Sequence, residues 1–279
     1  MLTCCKKRYK SSMRKFISLS FTLASTIIIS FAISQSAFAT SIDTCGQSCT
    51  MLVVTDDNQS ILEHNPERAE KRLTPFSTFK IPNTLIALDT GVVSSLQQKL
   101  TFDQKDYPIQ SWWPETWYKE PLVIRDAFQN SAVPIYQEIA TKISAPVMKN
   151  YLQQFAYGNQ DISSGIDTFW LNESITISAK EQIEFLQKLQ RQKLGLADDT
   201  YKKFKDIMLV EQTPEYQLYA KTGGGQLEKG KALGWYVGYV VKGNKVFYFA
   251  FNMDAKTFAD VQKVRVETVR TELKELGII

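Results

Sequence analysis

Ser77 and Lys80 stand three residues apart in "TPFSTFKIPNTLIALDTG", Thr74 to Gly91, among Phe76, Phe79, Ile81 and Pro82. On a helix that spacing puts a hydroxyl and an amine on one face. A serine hydroxyl is a weak nucleophile until a base takes its proton, and a lysine is a base only when neutral. Free lysine has a pKa of about 10.4, which full desolvation lowers by up to about 3–5 units. The apolar flank of Lys80 suits such a shift; the alternative is a surface lysine beside a core face. Thr74-Pro75 predicts a helix start and Gly91 its stop, and Pro82 so early in the helix predicts a 3₁₀-like first turn. A helix N-terminus also presents unpaired backbone N–H groups to a developing oxyanion.

Other chemistries have less to stand on. His64, in "EHNPERA", is the only histidine, so a Ser-His-Asp triad or a histidine-bound zinc has one residue to draw on. It reads as a solvated turn residue after a strand. "KTGGG" lacks the order of a phosphate-binding loop.

Three further pieces stand downstream. Ser131 opens "SAVPIYQE", Tyr157-Gly158-Asn159 follows "QQFA", and Lys221-Thr222-Gly223 closes a strand-like run. Each has a plain structural reading: a helix cap, a helix stop, a strand-end charge. In the order S-x-x-K, S-x-V, Y-G-N, K-T-G they are far more specific than any one alone.

That ordered set, with "FWL" at Phe169 to Leu171, "GNQDISSGIDTFWL", "VGYV" and "FAFNMD", resembles the penicillin-recognising serine enzymes. It is most similar to the class D β-lactamases, the oxacillinases, over nearly the whole chain after the leader. The resemblance implies a serine β-lactamase/transpeptidase-like fold and hydrolysis of small-molecule β-lactams, giving antibiotic resistance. Ser77 is then the nucleophile, and Lys80, carboxylated by CO₂ to N6-carboxylysine, the general base. Phe79, Val133, Trp170 and Leu171 form a dry pocket for the carbamate, with the Trp170 indole N–H as its donor. Ser131 relays protons to the leaving nitrogen. Lys221 and Thr222 meet the substrate carboxylate with Arg265, for which Arg270 is the competitor. The oxyanion hole is made by the N–H groups of Ser77 and Gly224. The family implies no metal and no cofactor beyond CO₂.

One departure is that Gly224 and Gly225 follow the K-T-G where other members carry a larger residue, which predicts a lower, looser cleft wall. The rival readings are a β-lactam sensor domain and a penicillin-binding transpeptidase or carboxypeptidase. Ser131-Ala132-Val133 in place of S-x-N argues against the second. A binding module without catalysis is a further class.

The elements that position these residues come from both chain ends. "TMLVVTDD" and "SILEHN" read as a strand and its return. "ALGWYVGYVV" and "KVFYFAFNMD" form a hairpin about Lys242-Gly243-Asn244, with "YQLYAKTG" as a neighbour. The tail after Val261 has helical periodicity and ends at Gly277. Between the ends lie helices: one from Pro134, one stopping at Gly158, and one opened by Ser178 and Glu181 as a capping box. The expectation is an α/β (α+β) fold with a mainly antiparallel sheet (about 40–76 and 200–279) and an inserted helical part (about 77–199). The Trp- and Pro-rich stretch Thr101 to Leu122, with Trp112, Trp113 and Trp117, reads as an irregular surface loop along the cleft between them.

Residues 1–39 have a basic start, an apolar middle and Ala37-Phe38-Ala39, the pattern of a secretory signal peptide cleaved after Ala39. The pattern is complete from Met13 as well as from Met1. Cleavage is expected to leave one catalytic unit of about 240 residues, residues 40–279, periplasmic or otherwise exported, with no stable membrane anchor. Without the leader's six basic residues, 27 basic face 29 acidic residues, and nothing in composition favours a nucleic-acid partner. Cys45 and Cys49 remain, expected as a local disulfide in an oxidising compartment, since no second pair or nearby histidine completes a zinc site.

Overall fold

The computed structural model describes Ile42, residues 45–227 and residues 230–279; the expected signal peptide lies outside them. β1 (Cys49–Thr55) and β2 (Ser60–His64) form the first hairpin, turned at Asn58 with a left-handed φ of 65°. A short α1 (Pro66–Ala69) and a 3₁₀ turn, Phe76–Phe79, lead into α2 (Lys80–Asp89). Next come α3 (Ile124–Gln129), α4 (Val133–Ile143), α5 (Ala145–Phe155), α6 (Ala179–Gln190) and α7 (Asp198–Met208). The chain returns through β3 (Leu209–Gln212), β4 (Gln217–Gln226), β5 (Ala232–Lys242) and β6 (Lys245–Ala255) to α8 (Phe258–Glu275).

The six strands form one antiparallel sheet in the order β2-β1-β6-β5-β4-β3, so the chain's first strand pairs with its last. The β5–β6 hairpin turns tightly at Gly243-Asn244, with Lys242 opposite Lys245. The long apolar run of β5 follows from burial on both faces. Trp235, Val237 and Tyr239 point to the core shared with α2, α4 and α6, while Tyr236 and Val240 pack with Val269 and Leu273 of α8.

Several boundaries differ from expectation. α5 stops at Ala156, which takes the left-handed cap (φ 53°), two residues before Gly158. Gly158 instead answers to crowding: a Cβ there would stand 2.0 Å from the Thr176 carbonyl oxygen. α8 starts at Phe258, ahead of its apolar periodicity, because Thr257 and Asp260 build a second capping box. β3 is a four-residue edge strand with no sequence signature of its own. His64 is the last residue of β2 rather than a turn residue, and its Nε2 lies 2.9 Å from the Gly46 carbonyl oxygen. That strand brings a histidine beside the cysteines after all: donor atoms of Cys45, Cys49 and His64 lie within 4.8 Å of one another. The two sulfurs are joined to each other, however, with Cα atoms 5.7 Å apart. Among the described residues no helix is long and apolar enough to cross a membrane.

Candidate active site

The 3₁₀ turn Phe76–Phe79 runs directly into α2, so Lys80 is the first α-helical residue and Pro82 still lies in the first turn. β4 presses against this turn. A Cβ on Gly223 would lie 2.6 Å from the Pro75 carbonyl oxygen and 2.9 Å from the Thr78 nitrogen, so only glycine permits the approach. Trp235 on β5 adds an indole hydrogen bond to the Thr74 carbonyl, 2.9 Å. The Ser77 segment is thereby fixed to the sheet.

Lys80 is 1% exposed, and its Nζ donates to Ser77 Oγ at 3.0 Å. Burial alone lowers the Lys80 pKa to about 7. The Tyr136 ring, 4.9 Å from Nζ, favours the charged form but does not outweigh desolvation. Tyr136 is itself held by Thr84, whose hydroxyl lies 2.7 Å from the phenol oxygen and bonds the Lys80 carbonyl. Tyr136 did not stand out in the sequence; its place one turn into α4 only acquires meaning once α4 packs on α2.

The aromatic pocket beside Lys80 is dry. Phe79 stacks on Trp170 with centroids 5.4 Å apart and meets Phe169 and Tyr157 edge-on. Tyr157 of the Y-G-N run is therefore a core residue. Trp170 is fully buried, and its Nε1 has no hydrogen-bond partner among the described residues. Val133 and Leu171 are half-buried on the wall of a cavity of about 910 Å³ that also exposes Ser77, Ser131, Thr222 and Arg265.

Ser131 sits between α3 and α4 in a left-handed conformation (φ 57°) and accepts a 2.5 Å hydrogen bond from Lys221 Nζ. Lys221 also bonds the Thr222 carbonyl at 3.0 Å. Burial, then the Lys80 and Arg265 charges, hold its pKa well below that of free lysine. Arg265 reaches from α8 to the Gly223 carbonyl at 2.8 Å, and burial lowers its pKa to about 10. Arg270 faces away and pairs with Glu211 at 2.6 Å. Gly224 lines the cavity between Thr222 and the Phe258 ring.

The stretch Thr101 to Leu122 is closed by antiparallel bonds between Leu100 and Leu122 and borders the cavity. It is not wholly a surface loop. Trp113 and Trp117 belong to the core, and Trp117 donates to the Asn130 carbonyl at 2.8 Å, next to Ser131; Trp112 is 65% exposed.

Residues 50–273 match the family model described as Penicillin binding protein transpeptidase domain. The chain is 41% identical to β-lactamase OXA-19 of Pseudomonas aeruginosa over 199 residues, 71% of this chain and 73% of that one. It is 40% identical to β-lactamase OXA-48 of Klebsiella pneumoniae over 224 residues, 80% of this chain and 82% of the relative. Among solved structures, a class D β-lactamase, YbXI from Nostoc, is similar with a TM-score of 0.78 and 38% identity, covering 86% of this chain and 98% of that one. Relatives that share both the sheet-and-helix frame and about two residues in five act on the β-lactam ring, as hydrolases that confer antibiotic resistance, and this chain belongs with them to the class D β-lactamases.

Proposed function

We propose that the chain hydrolyses penicillin-type β-lactams through an acyl-enzyme on Ser77. The observation that carries this reading is the 3.0 Å contact between Ser77 Oγ and a buried Lys80 whose pKa is about 7. At neutral pH a large fraction of that amine is unprotonated and open to CO₂, a reaction that yields a carbamate and one proton. Carboxylated Lys80 would supply the general base, for the Ser77 proton in acylation and for a water in deacylation. The chain's residues fit the group: the Trp170 Nε1–H is buried without a partner beside an apolar pocket.

Ser77 Oγ forms the new ester bond to the lactam carbonyl carbon, and the ring C–N bond breaks. Ser131 and Lys221 deliver a proton to the leaving nitrogen, a role supported by their 2.5 Å bond and by the low proton affinity of Lys221. The backbone N–H groups of Ser77 and Gly224 hold the oxyanion. Arg265 and Thr222 bind the substrate carboxylate. Water then cleaves the ester, releasing the ring-opened acid. We further propose that the protein is exported to the periplasm after cleavage at Ala39 and works as one unit over residues 40–279, with the Cys45–Cys49 bridge at its start.

The test is a stopped-flow and mass-spectrometric experiment on the mature chain with a penicillin and bicarbonate. An acyl adduct on Ser77 and a ¹³C-labelled carbamate on Lys80 are expected, and Ser77→Ala removes turnover. Hydrolysis that survives Ser77→Ala would falsify the mechanism.

A further inference from the structure

Gly223, Gly224 and Gly225 leave β4 without side chains where it borders the cleft, which by sequence implies a low, loose wall. The space over Gly225 is filled from the other side. A Cβ on Gly225 would stand 2.5 Å from Phe76 Cε1, 2.9 Å from Cδ1 and 3.0 Å from Cζ. The edge of the Phe76 ring thus rests directly on the bare glycine. Phe76 lines the cavity beside Ser77 and is otherwise buried, at 4% exposure.

The backbone is set up for this placement. Phe76 has φ 48°, a left-handed conformation that is strained for a bulky residue and persists only where its surroundings enforce it. Hydrogen bonds from the Thr78 backbone N–H (3.1 Å) and hydroxyl (2.8 Å) to the Pro75 carbonyl clamp both sides of the residue. Gly224 offers no alternative wall, because a Cβ there would lie 2.7 Å from the Leu233 carbonyl oxygen.

We propose that Phe76 is a specificity-determining residue: its ring, seated on Gly225, is the apolar wall against which the part of the substrate lying along β4 packs. The role rests on the reading of Ser77 as nucleophile. It makes residues 76 and 225 one device, ring and seat.

The experiment is a double-mutant cycle of Phe76→Ala and Gly225→Ala, with kcat/KM measured for a penicillin bearing a compact acyl group and one bearing a bulky biaryl acyl group. Removing the ring opens the cleft, and Phe76→Ala should raise the bulky-to-compact ratio by about tenfold or more, the scale of a pocket contact in discrimination. Gly225→Ala should drive the ring into the cleft and lower kcat/KM for both substrates by roughly tenfold, yet cost less than about twofold once the ring is gone. Phe76→Gly relieves the strained φ and also lacks the ring, so it should share the specificity of Phe76→Ala. Circular-dichroism melts of each variant, with Phe76→Leu as a conservative control, confirm that folded protein is compared. Equal cost of Gly225→Ala in both backgrounds, an unchanged substrate ratio in Phe76→Ala, or wild-type specificity in Phe76→Gly overturns the proposal. Absence of turnover in the wild type instead sinks the serine-enzyme reading.

Discussion

Lys221 Nζ and Ser131 Oγ stand 2.5 Å apart, although 90 residues separate them in the chain. The lysine comes from β4 and the serine from the strained turn between α3 and α4, so the bond ties the sheet to the helices across the cleft. In the proposed relay a Lys221 ammonium, desolvated and repelled by Arg265, passes a proton to Ser131 Oγ, whose own proton goes to the leaving nitrogen. Ser131→Ala removes the only atom of that residue able to pass the proton on. Its acylation rate, followed by stopped flow, should fall by about 10²–10⁴, the usual contribution of positioned acid–base groups. The loss of thermal stability should be modest, because Lys221 Nζ keeps its bond to the Thr222 carbonyl. An acylation rate within twofold of wild type would remove Ser131 from the relay.

Lys80 makes a pH prediction whose sign follows from its lowered pKa. Between about pH 7, its folded value, and its unfolded value near 10.5, the unfolded chain binds the extra proton. Stability from this group therefore rises with pH across that window, and below it the full penalty of burying a charge remains. Lys80→Met, which keeps the volume and loses the charge, should raise Tm in CO₂-free buffer at pH 6. The gap to wild type should narrow steadily from pH 7 towards 10. Urea titrations at four pH values measure it, and a gap that widens with pH would contradict the burial argument.

Trp170 stacks on Phe79 while its indole N–H is left unpartnered in a dry pocket. Trp170→Phe keeps an aromatic ring and deletes an unsatisfied donor, so the unmodified protein should not lose the cost of a broken hydrogen bond. The proposed carbamate on Lys80 would, by contrast, lose a hydrogen bond to a charged group, worth about 1.5–3 kcal/mol, or roughly 10–100-fold in CO₂ affinity. Activity should become bicarbonate-dependent and recover at high bicarbonate, with the ¹³C signal on Lys80 tracking it. Activity low at every bicarbonate concentration would assign Trp170 to substrate or fold instead.

What could be read in the sequence was local. The β5–β6 hairpin, the capping box at Ser178 and the S-x-x-K face all depend on residues a few positions apart, where backbone geometry fixes neighbours. The contacts that complete the site join residues far apart in the chain. Tyr136 reaches Lys80 because α4 packs on α2, and Trp117 bonds the Asn130 carbonyl because its loop folds inward. His64 reaches the cysteines because β2 returns along β1. Gly225 looked like missing wall because a glycine's meaning lies in what fills its place, here Phe76. Family resemblance supplied Trp170 and Arg265, which periodicity alone leaves as a loop aromatic and a helix charge.

Arg265 and Arg270 lie five residues apart on α8 and differ in everything but type. Arg265 spends Nη1 on the Gly223 carbonyl and keeps a buried Nε without a partner among the described residues at the cavity wall, leaving donors for an anion. Arg270 is committed to Glu211 at a part-exposed pair. Arg265→Ala should raise KM for a penicillin roughly 10–100-fold, the worth of a charge-assisted hydrogen bond, with a smaller effect on kcat. Arg270→Ala should leave KM unchanged and cost at most about 1 kcal/mol in stability, as surface ion pairs do. Competition binding of a penicillin to the acylation-blocked Ser77→Ala variant, with and without each arginine substitution, reads the loss of affinity directly. Equal KM effects in the two arginine variants would take the anion site away from Arg265.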